Sequence, residues 1–237
     1  MKETSKFLRV VACMAVLAGS MAFAQAAQVG KAVVREVTGA AEATVGGAWK
    51  ALRKGDTLMP GSVVRTANNS SVVLFLDQNG PLVRLTENTT LGIEKLNFEH
   101  TGVDTVIETQ LDLRSGRIVG IVRKLSATSK YEIKTPNGVA GIRGTEYAIS
   151  ADSTVMVLRG QVVVVFVKAD GSVVTQVVNA GEKFNPATQR VETMTSEDKA
   201  QAESEVAATR GIVAEPSIFD LEPPPIIFVS PISGGTD

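Results

Sequence analysis

The sequence predicts an all-β fold, and three observations carry the prediction. Short runs rich in valine and isoleucine recur from Val33 to about Phe184, turn-forming residues separate them, and no long helical periodicity interrupts them. The runs include Val33 to Val37, Val63 to Thr66, Val72 to Leu76, Leu82 to Leu85, Val106 to Leu111, Ile118 to Val122 and Val155 to Leu158. Between them stand Gly46-Gly47, Asn68-Asn69-Ser70, Asn79-Gly80-Pro81, Ser115-Gly116, Asn137-Gly138 and Asp170-Gly171. Tyr131 and Ile133 alternate with Glu132 and Lys134, and Val83 and Leu85 flank Arg84, which predicts strands with one buried and one wet face.

Two segments refine the expectation. Asp170-Gly171 lies between Val162 to Val167 and Val173 to Val178, which predicts a hairpin closed by a type I′ turn. The run Gln161 to Val167 lacks alternation, so it is expected to be buried on both faces, since exposure would make it an aggregation hazard. Gly116, Gly138, Gly160 and Gly181 stand 22, 22 and 21 residues apart, a spacing typical of β-solenoid coils. A β-sandwich is the alternative arrangement of the same strands.

Past Pro186 the composition changes. Thr195 or Ser196 is placed to cap a helix over Glu197 to Arg210 that ends at Gly211, and its alanine-rich face predicts shallow packing through Val206 and Ile212. From Glu215 onward, three consecutive prolines favour extended polyproline conformation in a flexible tail, with a docking segment at Ile226, Ile227, Phe228 and Val229 as the alternative. The expected organisation is a signal peptide over 1–27, a β domain over 28–190, a helix over 191–213 and a proline-rich tail over 214–237.

The start of the chain reads as a secretory leader. Lys2, Lys6 and Arg9 form a basic region, Val10 to Met21 an apolar run, and Ala22-Phe23-Ala24 and Ala24-Gln25-Ala26 offer two cleavage sites. The run is short against the roughly 20 residues of a membrane span. Only three residues separate Arg9 from Cys13, the sole cysteine, too few for a lipidation box, so the exported chain is expected to hold no disulfide. Such a chain depends on its hydrophobic core for stability. Without the leader, 21 basic residues face 24 acidic ones. No basic stripe marks a nucleic-acid binder, and Lys50, Arg53 and Lys54 read as a solvated turn.

The inventory for catalysis is thin, and the expectation is a protein that is not an enzyme and needs no cofactor or metal. His100 is the only histidine, expected exposed in a polar loop, and no cysteine or second histidine joins it for zinc. No Gly-x-Ser-x-Gly elbow occurs. Asp104, Glu108 and Asp112 recur every four residues, on one face of a predicted strand, as solvated carboxylates. The Gly138 to Thr145 loop lacks the Gly-Lys-Ser/Thr of a phosphate cradle and runs into a strand. Its reading is architectural: Pro136 ends a strand, Gly141 and Gly144 permit tight bends, and carbonyls or Glu146 clamp Arg143.

Two motifs carry a family resemblance. Thr135-Pro136 followed by Ala140-Gly141-Ile142-Arg143-Gly144-Thr145, with Tyr147 and Ile149 beyond, resembles the signature of the FecR domain. Trp49, Leu52, Gly55, Asp56, Leu58, Gly61 and Thr66 resemble that family's early hairpin. Asp56 is expected to cap its own turn, and Trp49 to lie in the core, with a sugar-stacking platform as the alternative. The resemblance covers about Gly30 to Ala187 and implies an extracytoplasmic β domain of twisted solenoid-like or jelly-roll-like form. It implies a binding or scaffolding module for a protein partner or a cell-envelope glycan, in the periplasm or at the cell surface. FecR-type regulators also carry a cytoplasmic anti-sigma segment and a membrane span, whereas nine residues precede the apolar run here. A membrane-anchored signalling regulator is therefore the second expectation, and a carbohydrate-active enzyme on a β scaffold the third.

Overall fold

A computed structural model describes residues 27–212 apart from 103, so the leader, Cys13 and the proline-rich tail lie outside the described residues. In chain order the strands are β1 (Gln28–Val29), β2 (Ala32–Thr38), β3 (Ala41–Val45), β4 (Ala48–Ala51), β5 (Thr57–Leu58), β6 (Val63–Thr66), β7 (Ser71–Phe75), β8 (Leu82–Leu85), β9 (Thr90–Thr101) and β10 (Asp104–Ser115). They continue as β11 (Arg117–Ile121), β12 (Lys130–Thr135), β13 (Gly138–Ile142), β14 (Glu146–Ser150), β15 (Val155–Arg159), β16 (Gln161–Val167), β17 (Val173–Asn179), β18 (Glu182–Asn185) and β19 (Arg190–Thr193). One helix, α1 (Ser196–Gly211), follows.

The strands form two sheets. The first runs β17-β16-β13-β12-β10-β9-β6-β3-β4, with β1 also on β9, and the second runs β19-β18-β15-β14-β11-β8-β7-β2-β5. From β7 onward the chain mostly lays a hairpin in one sheet and then crosses to the other, so both sheets grow in the same direction. Pairings are antiparallel except β10 with β12. The fold is all-β and sandwich-like.

The inner faces supply the core, where Val34, Leu74, Leu85, Leu91, Ile93, Leu111, Ile133, Ile149, Val157, Val164 and Phe184 pack together. Each such side chain contributes about 1.5–3 kcal/mol on leaving water. Tyr131 and Tyr147 face this core from opposite sheets. Burial pushes both phenols well above their ordinary range, and although they lie within electrostatic reach, neither hydroxyl meets the geometry of a hydrogen bond among the described residues. The Tyr147 ring covers its cross-strand partner Gly120, where an added Cβ would stand 2.1 Å from Cζ.

Corners between the sheets place Asn69, Asn88, Gly116, Gly144, Gly160 and Gly181 at positive φ, between 50° and 84°. Three of the four regularly spaced glycines therefore occupy corners. Gly138 does not; it opens β13 within the first sheet, so the spacing marks two different kinds of position.

Two strand-level expectations are corrected. The Asp170 hairpin forms, but its loop spans five residues between Val167 and Val173, with Gly171 N–H bonded to Lys168 O and only Gly171 at positive φ. That is a type I turn with a glycine bulge, and not a two-residue type I′ turn. β16 is buried on one face alone: Val162, Val164 and Phe166 enter the core while Val163 and Val167 are exposed. Alternation was hidden because valine fills both faces.

The outer face of the second sheet carries α1. Ala202 and Val206 pack with Met194 onto Val119, Ala148 and Met156. Thr195 caps the helix: its Oγ1 accepts from Asp198 N–H at 3.1 Å, and Asp198 Oδ2 accepts from Thr195 N–H at 3.0 Å. Lys183 reaches the same Oδ2 at 2.6 Å, and Arg117 pairs with Glu205 at 3.1 Å. Nothing comparable covers the first sheet among the described residues.

Candidate functional site

The segment from Thr135 to Ile149 builds a corner of the sandwich. Pro136 and Asn137 link β12 to β13 with Thr135 paired to Gly138, and Thr135 Oγ1 lies 2.7 Å from Ser153 Oγ. Gly141 lies in regular strand, where an added Cβ would have its nearest neighbour, Val163 O, at 3.7 Å. It makes no bend, contrary to the expectation above. Gly144 makes the bend. Its φ is +78°, and an added Cβ would stand 2.9 Å from Lys124 Cα. Thr145, 1% exposed, donates from Oγ1 to Gln161 O at 2.9 Å and accepts Val122 N–H at its carbonyl, which ties three crossing segments together.

Arg143 is not clamped by Glu146. The chain turns at Gly144, and Glu146 instead holds Arg210 of α1, with Arg159 Nε at 3.8 Å. Arg143 is exposed, as are Arg123 and Lys124 across the corner, and none of the three has a hydrogen bond or ion pair among the described residues. Arg159 and Arg210 extend the same corner, where Glu146 is the acid in contact. Arg123, Lys124 and Arg143 leave an excess of positive charge at this corner, which attracts acidic groups.

The early motif shapes the opposite end. Asp56 Oδ2 accepts Arg53 N–H at 2.7 Å, closing its own turn, while Gly55 N–H bonds Val34 O and Gly61 N–H bonds Ile93 O. Trp49 is a correction: it is 42% exposed on the outer face of β4, outside the core. The Arg65 guanidinium lies 3.9 Å over its ring and bonds Glu42 Oε2 at 2.5 and 2.8 Å. Beside this group runs a groove of ≈ 480 Å³ lined by Gly39, Glu42, Leu52, Arg65 and Thr66.

His100 stands at the end of β9, a strand where a loop was expected, edge-on to Phe98 with Nδ1 3.1 Å from Thr105 Oγ1. Glu108 and Asp112 are engaged by Lys95 at 2.9 Å and Arg114 at 2.7 Å. The Lys95 hydrogen bond holds the Glu108 carboxyl below its usual range, the state of a structural anion. Among the described residues no group of three or more His, Cys, Asp or Glu is placed to hold a metal.

Sequence reasoning missed Asn79, which reads as a turn former. It is fully buried, and its Nδ2 donates to Asn97 O at 2.8 Å and Thr109 Oγ1 at 3.1 Å, while Thr109 Oγ1 donates to Asn79 O. The contact pins the β7–β8 turn to the β9–β10 hairpin of the other sheet. Its Oδ1 faces Gly30, where an added Cβ would stand 2.5 Å away.

The sequence model of a family described as FecR protein matches residues 62–163, a span that includes the Gly144 corner and Arg65. No curated protein matches the chain. Two crystal structures of a candidate anti-sigma factor from Parabacteroides distasonis ATCC 8503 are similar to it. One is 14% identical with a TM-score of 0.43, over 56% of this chain and 59% of that one. The other is 13% identical with a TM-score of 0.31, over 55% and 53%. The chain thus spans less than two thirds of either.

Proposed function

We propose, from the match of residues 62–163 to the family described as FecR protein, that the chain acts outside the cytoplasm as a non-enzymatic binding or scaffolding module for a protein partner. The observation that carries this reading is the exposed corner at Gly144, where Arg123, Lys124 and Arg143 present charge without internal partners among the described residues. The chemistry suits acidic side chains on a partner protein, since rim charges steer encounter and fix orientation. Extracytoplasmic placement rests on the leader read from Lys2 to Ala26. Among the described residues no helix is long and apolar enough to cross a membrane. A membrane-anchored regulator would retain the leader, and the mass of the exported protein separates the two, a loss of about 24 to 27 residues marking cleavage.

Cross-linking in cells, followed by affinity measurement with the purified partner, tests the proposal. Arg123→Glu with Arg143→Glu is expected to weaken binding at least about tenfold, and added salt to weaken the wild type. Binding indifferent to both would sink the role of the corner. Turnover of a substrate, lost on His100→Ala, would sink the non-enzymatic reading. A second reading, recognition of an envelope glycan, is favoured by the exposed Trp49 ring beside the groove; Trp49→Ala would then abolish retention on glycan fractions while leaving the protein complex intact.

A further inference from the structure

We propose that the free edge of β17 is a self-association site, at which two copies join their first sheets antiparallel about a two-fold axis through Thr175. β17 pairs with β16 on one side, and no described strand pairs with its other side. The backbone polarity of that open side follows from the turn. Lys168 N–H bonds Ser172 O at 2.8 Å and Val167 N–H bonds Asn137 O at 2.8 Å, so Lys168 and Ser172 form a hydrogen-bonded pair and Val167 and Val173 do not. Alternation then directs the N–H and C=O of Val173, Thr175, Val177 and Asn179 away from β16. Asn179 N–H is taken by Glu182 Oε2 at 2.8 Å. Val173, Thr175 and Val177 are left offering donors and acceptors to an incoming strand.

The occupant is specified by side chains. Antiparallel pairing centred on Thr175 sets Val173 against the second copy's Val177, Thr175 against its equivalent, and Val177 against Val173. Every outward-facing pair is then valine with valine or threonine with threonine, combinations that stabilise strand pairing. Val173 is 59% and Val177 44% exposed, and their cross-strand neighbours Val167 and Val163 extend the apolar surface over β16. From Val173 to Asn179 there is no charge and no proline, the features that discourage pairing elsewhere. The other sheet ends are guarded: β4 has four residues including Lys50, β5 has two, and β19 carries Arg190 and Glu192. An incoming strand bearing charge would meet no counter-charge at β17, whereas a second copy presents the same uncharged β-branched row. The isologous geometry closes at two copies.

One strand pair with its flanking valines lies at the low end of specific interfaces, so association is expected at roughly tens of micromolar. Sedimentation equilibrium of the protein as isolated from cells, from about 1 to 200 µM, tests it. The wild type is expected to pass from monomer to dimer. Thr175→Pro removes an N–H that the β16 pairing does not use, and Val177→Lys places charge on the outer face; each should raise the dissociation constant at least about tenfold. Val177→Lys, whose side chain is already in solvent, retains the native circular dichroism and keeps the test valid should the proline variant misfold. A protein monomeric throughout, or a dimer that both substitutions leave intact, overturns the proposal. So does a chain that dimerises only after removal of the residues beyond Ile212, since the tail would then be the occupant of the edge.

Discussion

Each sheet gives one face to the shared core, and the two treat the opposite face differently. Over the second sheet, Val119, Ala148 and Met156 are roofed by Ala202 and Val206 of α1, and the roof is fastened by Arg117–Glu205 and Lys183–Asp198. Over the first sheet, the centre is a ladder of ion pairs, Lys134–Glu94 at 2.7 Å and Lys95–Glu108 at 2.9 Å, which needs no roof. Its β16–β17 end is apolar and bare. Apolar outer residues thus cluster around Val119, Ala148 and Met156 and again over β16 and β17, and among the described residues α1 covers only the first cluster. Covered valines contribute to the stability of the monomer; bare ones are free for contact between molecules.

The largest effect is expected where the two sheets meet. Gly144→Val forces a β-branched residue to positive φ and drives its Cβ into Lys124 Cα, so it should cost at least about 3 kcal/mol and leave little folded protein in urea titration. Gly141→Ala, three residues earlier in open strand, should change stability by less than about 0.5 kcal/mol. Equal costs would mean that the corner does not set the relation of the faces.

A matched pair of smaller changes tests the comparison directly. Val206→Thr buries a hydroxyl under the roof and is expected to cost about 1–2 kcal/mol with loss of helical circular dichroism, whereas Val163→Thr on the bare face should stay within about 0.5 kcal/mol. Similar losses at both sites would break the distinction.

The smallest effect concerns acid. Lys183 first, and then the Thr195 backbone N–H, hold the Asp198 carboxyl at about 2. Because the folded value is depressed, the stabilisation is complete above the ordinary carboxylate value of about 4 and is lost as pH falls through about 2. For a partly screened pair the contribution is about 1 kcal/mol. Helical signal should therefore decline over that interval before the strand signal does, and Lys183→Met should move the decline to higher pH.

The strands were legible because alternation is local: Tyr131 and Ile133 declare their face within four residues. The faces of β16 were not, since Val163 and Val164 are the same residue type with opposite surroundings, and only the packing of the second sheet against one face distinguishes them. Trp49 misled for a related reason. An aromatic in a strand reads as core, but the buried positions beside it are filled by Ala41 and Ala43 of β3 and by Leu52 just beyond β4. At Arg143 the neighbouring carboxylate suggested a clamp, and the reversal at Gly144 sends Glu146 to Arg210 in a helix 64 residues away. Asn79 carried no signal beyond its turn, because its partners Asn97 and Thr109 lie in another sheet. The helix, by contrast, was written locally in the cap at Thr195 and the alanine-rich run that follows it.

The shared direction in which both sheets are laid down has a consequence for how the domain is completed. From β7 onward, each new hairpin, or the single strand β11, docks on the strand placed just before it in the same sheet, so strands can join in the order in which the chain emerges. In the first sheet that sequence of additions stops at β17, after which the chain turns aside into β18, β19 and α1. β17 is therefore a growing tip, left with the backbone geometry that received every strand before it, and an arriving strand would repeat a step the chain has already taken many times.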